Sequence, residues 1–140
     1  MRELLDGLTA ISSSAKADVT KSREDRLKTD GREGARQEYT AEHPVVRTHP
    51  ETGRKALYIG EKVKRFDGWT EEESQPLIDF LVRHATRPEF LYRHQWRKND
   101  ILAWDNRCVM HQALGDFDET QLRHMERTTI LGTPSGYVVA

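Results

Sequence analysis

The stretch Ala103-Trp104-Asp105-Asn106-Arg107-Cys108-Val109-Met110-His111 is a mostly apolar, strand-like run that ends on an imidazole. It is followed by Arg123-His124-Met125-Glu126-Arg127, in which two arginines stand four residues apart. Successive side chains of a strand point to opposite faces, so this even spacing sends both arginines to one face. A histidine and two arginines on one side of a sheet can bind a metal ion and one or two anions. The sequence therefore predicts a metal and anion site carried by β structure.

A longer pattern runs through the same residues. It consists of Trp104-Asp105-Asn106-Arg107, then His111, and then Arg123-x-x-x-Arg127-x-Thr129-Ile130-Leu131-Gly132. A second pattern is Pro44-Val45-Val46-Arg47-Thr48-His49-Pro50, with Gly53 shortly after it. Both resemble the C-terminal half of the taurine and chlorophenoxyacetate (TauD/TfdA-like) dioxygenases. The resemblance covers about residues 43–132, and a weaker match lies at residues 3–11.

The resemblance implies a non-haem iron(II), 2-oxoglutarate-dependent dioxygenase. The implied fold class is mainly β with helices (α+β), a partial double-stranded β-helix, or jelly roll, in which residues 1–140 form the C-terminal part of a single domain. The implied reaction consumes 2-oxoglutarate and dioxygen, releases succinate and carbon dioxide, and hydroxylates a substrate carbon. The substrate would be a small organic acid, either a sulfonate or an aryloxy-carboxylate.

The resemblance also assigns three site residues. Enzymes of this class hold iron(II) with two histidines and one carboxylate, which leaves open positions for 2-oxoglutarate and dioxygen. His111 matches the distal histidine ligand. Arg123 matches the arginine that grips the far carboxylate of 2-oxoglutarate, a task suited to a planar guanidinium. Arg127 matches an arginine that contacts the substrate anion in sulfonate-using relatives, or it serves 2-oxoglutarate. The alternatives are a packed histidine and two exposed strand charges.

The two remaining ligands would come from an early His-x-Asp/Glu motif, which we expect to precede the match at residues 3–11. Two runs have the right letters, His49-Pro50-Glu51 in a predicted turn and His124-Met125-Glu126 between the two arginines. Neither suits the role, so we expect this chain to supply one iron ligand and to be inactive alone. The alternative function is a non-catalytic anion-binding or assembly module with a fold derived from the jelly roll.

The apolar spacing predicts secondary structure along the chain. We expect a helix from Arg2 to about Ile11, then a charged, mobile surface insertion over residues 15–41. We expect residues 104–107 to brace the strand that presents His111, the tryptophan by packing and the other three by hydrogen bonds and an ion pair. The remaining predictions are a hairpin of 43–48 and 55–59 around the turn 49–54, a helix from Thr70 or Ser74 to about Ala85, a turn at 97–100, and strands at 89–96, 101–104, 109–111 and 123–131.

Composition sets the broader expectations. At 140 residues the chain is at most one domain, and a formal net charge of −1 argues against a nucleic-acid partner. No apolar run is long enough to span a bilayer, so we expect no membrane partner. The single cysteine, Cys108, fits a reducing, cytoplasmic location and is expected to be inert filling. Half a jelly roll leaves open sheet edges, which favours a homo-oligomer or self-association.

Overall fold

The computed structural model describes residues 1–15, 38–116, 118, 120 and 124–130, and it forms an α+β arrangement of short strands and helices. Among these residues, none of the helices has the length and apolar character that a membrane span requires. The elements are α1 (Arg2–Asp6), β1 (Thr9–Ser13), β2 (Thr40–Pro44), β3 (Val46–Thr48), β4 (Lys55–Leu57), β5 (Val63–Phe66), α2 (Glu71–Ala85) and a 3-10 turn (Pro88–Phe90).

Strand β1 is the centre of an antiparallel sheet with the order β2-β1-β5. The prediction of a helix from Arg2 to Ile11 is wrong beyond Asp6, because α1 ends there and the chain enters β1 at Thr9. Ladders on both sides of β1 supply more backbone hydrogen bonds than a marginal helix does. The pairing of β1 with β5 shifts register between Ile11 and Ser12.

The predicted hairpin is confirmed as β3 paired with β4. Its turn closes through the His49 amide, which donates to the Arg54 carbonyl at 2.8 Å, and through Gly53, whose φ of 67° favours glycine. The run 43–48 is not one strand, however. It bends at the fully buried Val45, so that its first half joins the three-stranded sheet and its second half joins the hairpin.

The N-cap of helix α2 is Thr70 rather than Ser74. The Thr70 hydroxyl accepts the Glu73 amide at 3.2 Å and the Glu73 carboxylate accepts the Thr70 amide at 2.8 Å, which completes a capping box. Ser74 is instead a buried link to β5: its hydroxyl accepts the Phe66 amide at 3.0 Å and donates to the Thr70 carbonyl at 2.7 Å. Pro76 lies inside the helix on its exposed side.

The core lies between the three-stranded sheet and α2. Phe66 is fully buried and meets the ring of Trp69 edge-on at 5.5 Å. From α2, Ile78 and Leu81 are buried, as the apolar spacing of the helix predicts. The other buried apolar side chains are Leu5, Ala10, Val45, Ile59 and Val63.

The later strand predictions fail. Residues 91–97, 101–104, 109–111 and 124–130 form no strand, although the turn predicted at 97–100 is present, with Asn99 at a φ of 73°. A strand needs a hydrogen-bonded neighbour, and the described part of the chain offers these runs none. Several of their apolar side chains stay exposed, including Tyr92 and Ile101.

The charged segment predicted at 15–41 falls largely outside the described residues, which leave out 16–37. At its C-terminal end, Thr40 and Ala41 are exposed and pair with Ser13 and Ser12 in the sheet. Glu38, which lies just before β2, accepts a hydrogen bond of 2.5 Å from the hydroxyl of Ser13 in β1. The sheet therefore extends further back along the chain than the charge pattern predicts.

Candidate functional site

His111 is exposed, and its imidazole packs on Trp104 with the ring centres 4.8 Å apart. The indole N–H of Trp104 donates to the side-chain oxygen of Asn106 at 2.9 Å, which fixes the tryptophan ring. Next to His111, the Met110 side chain packs close to Gly60: a Cβ added to that glycine would lie 3.6 Å from the Met110 sulfur. The predicted packing role of Trp104 beside His111 is therefore present.

The segment that leads to His111 begins with a tight turn around Asp105. The Asp105 carbonyl accepts the amides of Cys108 and Val109, both at 3.2 Å. Its carboxylate accepts the Arg107 amide at 2.8 Å and the Arg107 Nε at 2.9 and 3.0 Å. The polar residues predicted to brace His111 thus do so by folding their own backbone into a turn.

This turn is bonded to the hairpin turn at residues 49–54. The Arg107 guanidinium donates from both terminal nitrogens to the two carboxylate oxygens of Glu51, each at 3.0 Å. His49 Nε2 lies 3.0 Å from the Asp105 carboxylate. We call these four residues, Glu51, Arg107, Asp105 and His49, the inter-turn network.

The hydrogen bonds of His49 define its tautomer. Its Nδ1 accepts the backbone amides of Glu51 and Thr52 at 3.3 and 3.2 Å, so Nδ1 carries no proton. Nε2 therefore carries the proton and donates it to Asp105. Both ring nitrogens of His49 therefore have hydrogen-bond partners. Its side chain is 11% exposed, less than that of Asp105 at 32% or Glu51 at 68%.

The network also shifts the pKa values of three of its members, Asp105, Glu51 and Arg107. The hydrogen bonds from Arg107, and then that from His49, hold the pKa of the Asp105 carboxyl far below its usual range. The hydrogen bond from Arg107 also lowers the pKa of Glu51. Asp105 first, and then Glu51, raise the pKa of Arg107. Both carboxylates and the guanidinium are therefore charged across the physiological pH range.

One group of metal-binding atoms exists among the described residues, formed by His49, Asp105 and Cys108 within 4.8 Å of one another. It does not suit a metal ion. The Nε2 of His49 is occupied by a proton, and Arg107 places a positive charge on the same carboxylate. Cys108 is exposed rather than filling the interior, and its thiol donates to the Asp105 carbonyl at 3.7 Å. Two of the three side chains, His49 and Asp105, instead belong to the inter-turn network.

His111 and Arg127 are described and exposed, whereas Arg123 lies outside the described residues. Within the described part of the chain, His111 belongs to no group of three metal-binding side chains. The convergence of His111, Arg123 and Arg127 on one face stays a prediction, and so does the identity of each ligand.

Sequence reasoning missed the role of His49 and Glu51. The sequence pattern predicts only that they are turn residues unsuited to bind iron. They do lie in the turn, but they face a segment 56 residues away in the sequence. One signal in the sequence could have found them. The two family-like motifs, at 44–53 and 104–111, each carry charged or polar residues, and Glu51 of the first is opposite in charge to Arg107 of the second.

Known proteins resemble this chain over most of its length. A family model described as "Taurine catabolism dioxygenase TauD, TfdA family" matches residues 1–129. The alpha-ketoglutarate-dependent sulfate ester dioxygenase of Pseudomonas putida is 38% identical over 138 residues, which cover 94% of this chain and 44% of that protein. The alpha-ketoglutarate-dependent 2,4-dichlorophenoxyacetate dioxygenase of Burkholderia sp. (strain RASC) is 43% identical over 89 residues, 64% of this chain and 30% of that protein.

Solved structures give the same result. The crystal structure of AAD-2 in complex with Mn(II) and N-oxalylglycine superposes on 69% of this chain and 36% of its own, with a TM-score of 0.52 and 25% identity. The chain spans less than half the length of each of these three proteins. The match of the family model to almost the whole sequence decides the assignment. This chain belongs to the TauD, TfdA family of dioxygenases.

Proposed function

We propose that this chain is part of an iron(II)- and 2-oxoglutarate-dependent dioxygenase that hydroxylates a small organic acid. Residues 1–140 would form the C-terminal part of its single domain, and the five strands would form part of a jelly roll. The observation that supports this most is that His111, the residue matching the distal ligand, ends a segment bonded to the hairpin turn. The names of the two relatives favour a sulfur-oxyanion or aryloxy-carboxylate substrate.

The roles proposed for this chain's residues are those that the family resemblance implies, and each suits the chemistry of the side chain. The His111 imidazole would donate to iron(II), which supplies the oxidation when it is bound with 2-oxoglutarate and dioxygen. Arg123 would bind the far carboxylate of 2-oxoglutarate through two parallel hydrogen bonds. Arg127 would bind the anionic group of the substrate, or 2-oxoglutarate. A cytoplasmic location and self-association through open sheet edges complete the proposal.

A second candidate is a non-catalytic anion-binding or assembly module. It needs no metal, because the guanidinium groups of Arg123 and Arg127 alone would bind an anion. On either candidate, the 140 residues alone should not turn over 2-oxoglutarate, because iron(II) in this class needs two further protein ligands. Clear succinate formation by the purified chain with iron(II), ascorbate and a panel of sulfonates and aryloxy-acids would contradict this.

The two candidates differ in how 2-oxoglutarate binding depends on metal. We would titrate the chain with Mn²⁺, with and without 2-oxoglutarate, and follow the paramagnetic broadening of histidine ring signals by NMR. The dioxygenase proposal expects stronger broadening of His111 than of His124, which is also exposed, and a further increase with 2-oxoglutarate. Arg123→Gln should abolish that increase, whereas Arg93→Gln should preserve it.

The module candidate expects a different outcome. Isothermal titration would detect 2-oxoglutarate or sulfate binding without metal, and Arg123→Gln or Arg127→Gln would weaken it. His111 and His124 would then broaden equally with Mn²⁺. Equal broadening, with anion binding that ignores the metal, would overturn the dioxygenase proposal for this chain.

A further inference from the structure

We propose that His49 and Glu51 are positioning residues, which hold the Trp104–His111 segment against the hairpin turn and thereby fix where the His111 imidazole lies. Their own nitrogen and oxygen atoms would touch neither metal nor substrate. The proposal rests on the proposed function only in taking His111 as the metal ligand.

The bonds of the inter-turn network form a closed ring. The Glu51 amide donates to His49 Nδ1, His49 Nε2 donates to Asp105, and Arg107 donates to both Asp105 and Glu51. Each member is satisfied by the others, so removal of one leaves a charge or a donor of the next without its partner. Such a ring favours one arrangement of the two turns over others.

The inter-turn network is connected to the His111 imidazole through Asp105. Asp105 follows Trp104, whose ring packs on His111, and the Asp105 carbonyl holds the amides of Cys108 and Val109. One residue, Met110, then separates Val109 from His111, and its sulfur lies against Gly60. A shift of Asp105 therefore moves both the backbone that precedes His111 and the Trp104 ring that packs on it.

The two links between the turns are not equal. The His49 side chain is 11% exposed and its Asp105 partner 32%, whereas Glu51 is 68% exposed and its Arg107 partner 27%. Water and salt weaken exposed ion pairs more than sheltered ones. The inner link, from His49 to Asp105, should therefore contribute more to holding the segment than the outer link, from Glu51 to Arg107.

The tautomer of His49 provides a matched pair of variants. In His49→Asn the amide oxygen falls near the position of Nδ1, so the turn amides keep an acceptor but Asp105 loses its donor. In His49→Gln the amide nitrogen reaches towards the position of Nε2, so Asp105 keeps a donor. Glu51→Gln weakens the outer link. Lys55→Gln is the control, because Lys55 lies on the same hairpin but pairs with Asp6 of α1 at the surface.

The rate of amide hydrogen exchange at Cys108 and Val109 measures how firmly the Trp104–His111 segment is held in place. We expect His49→Asn to speed exchange of the Cys108 and Val109 amides by roughly 10-fold or more, the effect of losing one hydrogen bond to a charged group. His49→Gln should restore most of the protection. Glu51→Gln should give a smaller increase, and Lys55→Gln none.

The readout specific to positioning is the His111 ring. In His49→Asn its NMR shifts should change while the amide of Leu81 in α2 exchanges as in the wild type. A general loss of stability would speed Leu81 as well and would overturn the proposal. Unchanged Cys108, Val109 and His111 signals in both His49→Asn and Glu51→Gln would also overturn it. Failure of Mn²⁺ to broaden His111 in the wild type would contradict the proposed function while leaving the exchange result intact.

Discussion

Glu51 and Arg107 stand 56 residues apart in the sequence, and their side chains meet through two hydrogen bonds of 3.0 Å each. The guanidinium also reaches Asp105 through its Nε. A planar, forked donor can serve two carboxylates at once, which a lysine ammonium on a flexible stem does not do with the same geometry. The pair joins two of the motifs by which the sequence resembles a known family, the one at residues 44–53 and the one at 104–111.

We expect Arg107→Lys to lower the midpoint of thermal unfolding, because lysine keeps the charge but loses the fork. High salt would not restore the wild-type value, since the loss is in hydrogen-bond geometry as well as in charge. Differential scanning calorimetry at low and high salt measures this. The control is Arg83→Lys on the exposed side of α2, which should change the midpoint little. Equal midpoints for both variants would contradict the prediction.

Ser74→Ala should destabilise the protein by about 1–3 kcal/mol, because it leaves the buried Phe66 amide without an acceptor. Urea unfolding followed by circular dichroism gives the free energy of unfolding. Thr86→Ala is the matched control: its hydroxyl also donates to a carbonyl one turn earlier in α2, but it is exposed. We expect it to stay within about 0.5 kcal/mol of the wild type. Similar losses in both variants would refute the role given to Ser74.

Thr70→Ala should cost about 1 kcal/mol, since it removes the side-chain acceptor at the N-cap of α2. Thr70→Ser retains the hydroxyl and should remain close to the wild type. The helical circular dichroism signal during urea unfolding compares the two. If the alanine variant were as stable as the serine variant, the capping box would not contribute to the stability of α2.

The stability of the protein should depend on pH through His43. Burial, and then the nearby positive charge of Arg47, lower the pKa of His43 below its ordinary value of 6.5. Its Nδ1 has no hydrogen-bond partner among the described residues. Below about pH 6.5 the unfolded chain takes up a proton that the folded protein resists. The free energy of unfolding should therefore fall as the pH drops from about 6.5 through the lowered pKa.

His43→Phe tests this assignment, because it keeps a ring beside Tyr58 and removes the titrating group. Urea unfolding between pH 5 and pH 8 should show a shallower pH dependence for the variant than for the wild type. His124→Phe, which changes an exposed histidine, is the control and should retain the wild-type slope. An unchanged slope in His43→Phe would assign the pH dependence elsewhere.

The sequence by itself determined the parts of the fold whose partners are close along the chain. The capping box joins Thr70 to Glu73, and the hairpin turn closes between His49 and Arg54. Both depend on a few consecutive residues whose types and spacing are visible in the sequence. Family membership was predictable for a similar reason, because it is read from two short motifs.

Tertiary structure decided what depends on distant neighbours. The residues after Asp6 became the central strand β1, despite their helical spacing, because β2 and β5 lie on either side. Residues 91–97 did not become a strand, because no described strand lies beside them. His49 and Glu51 bind Asp105 and Arg107 across 56 residues. A local pattern sets which structures a segment can adopt, whereas hydrogen bonds and burial against other segments select one of them.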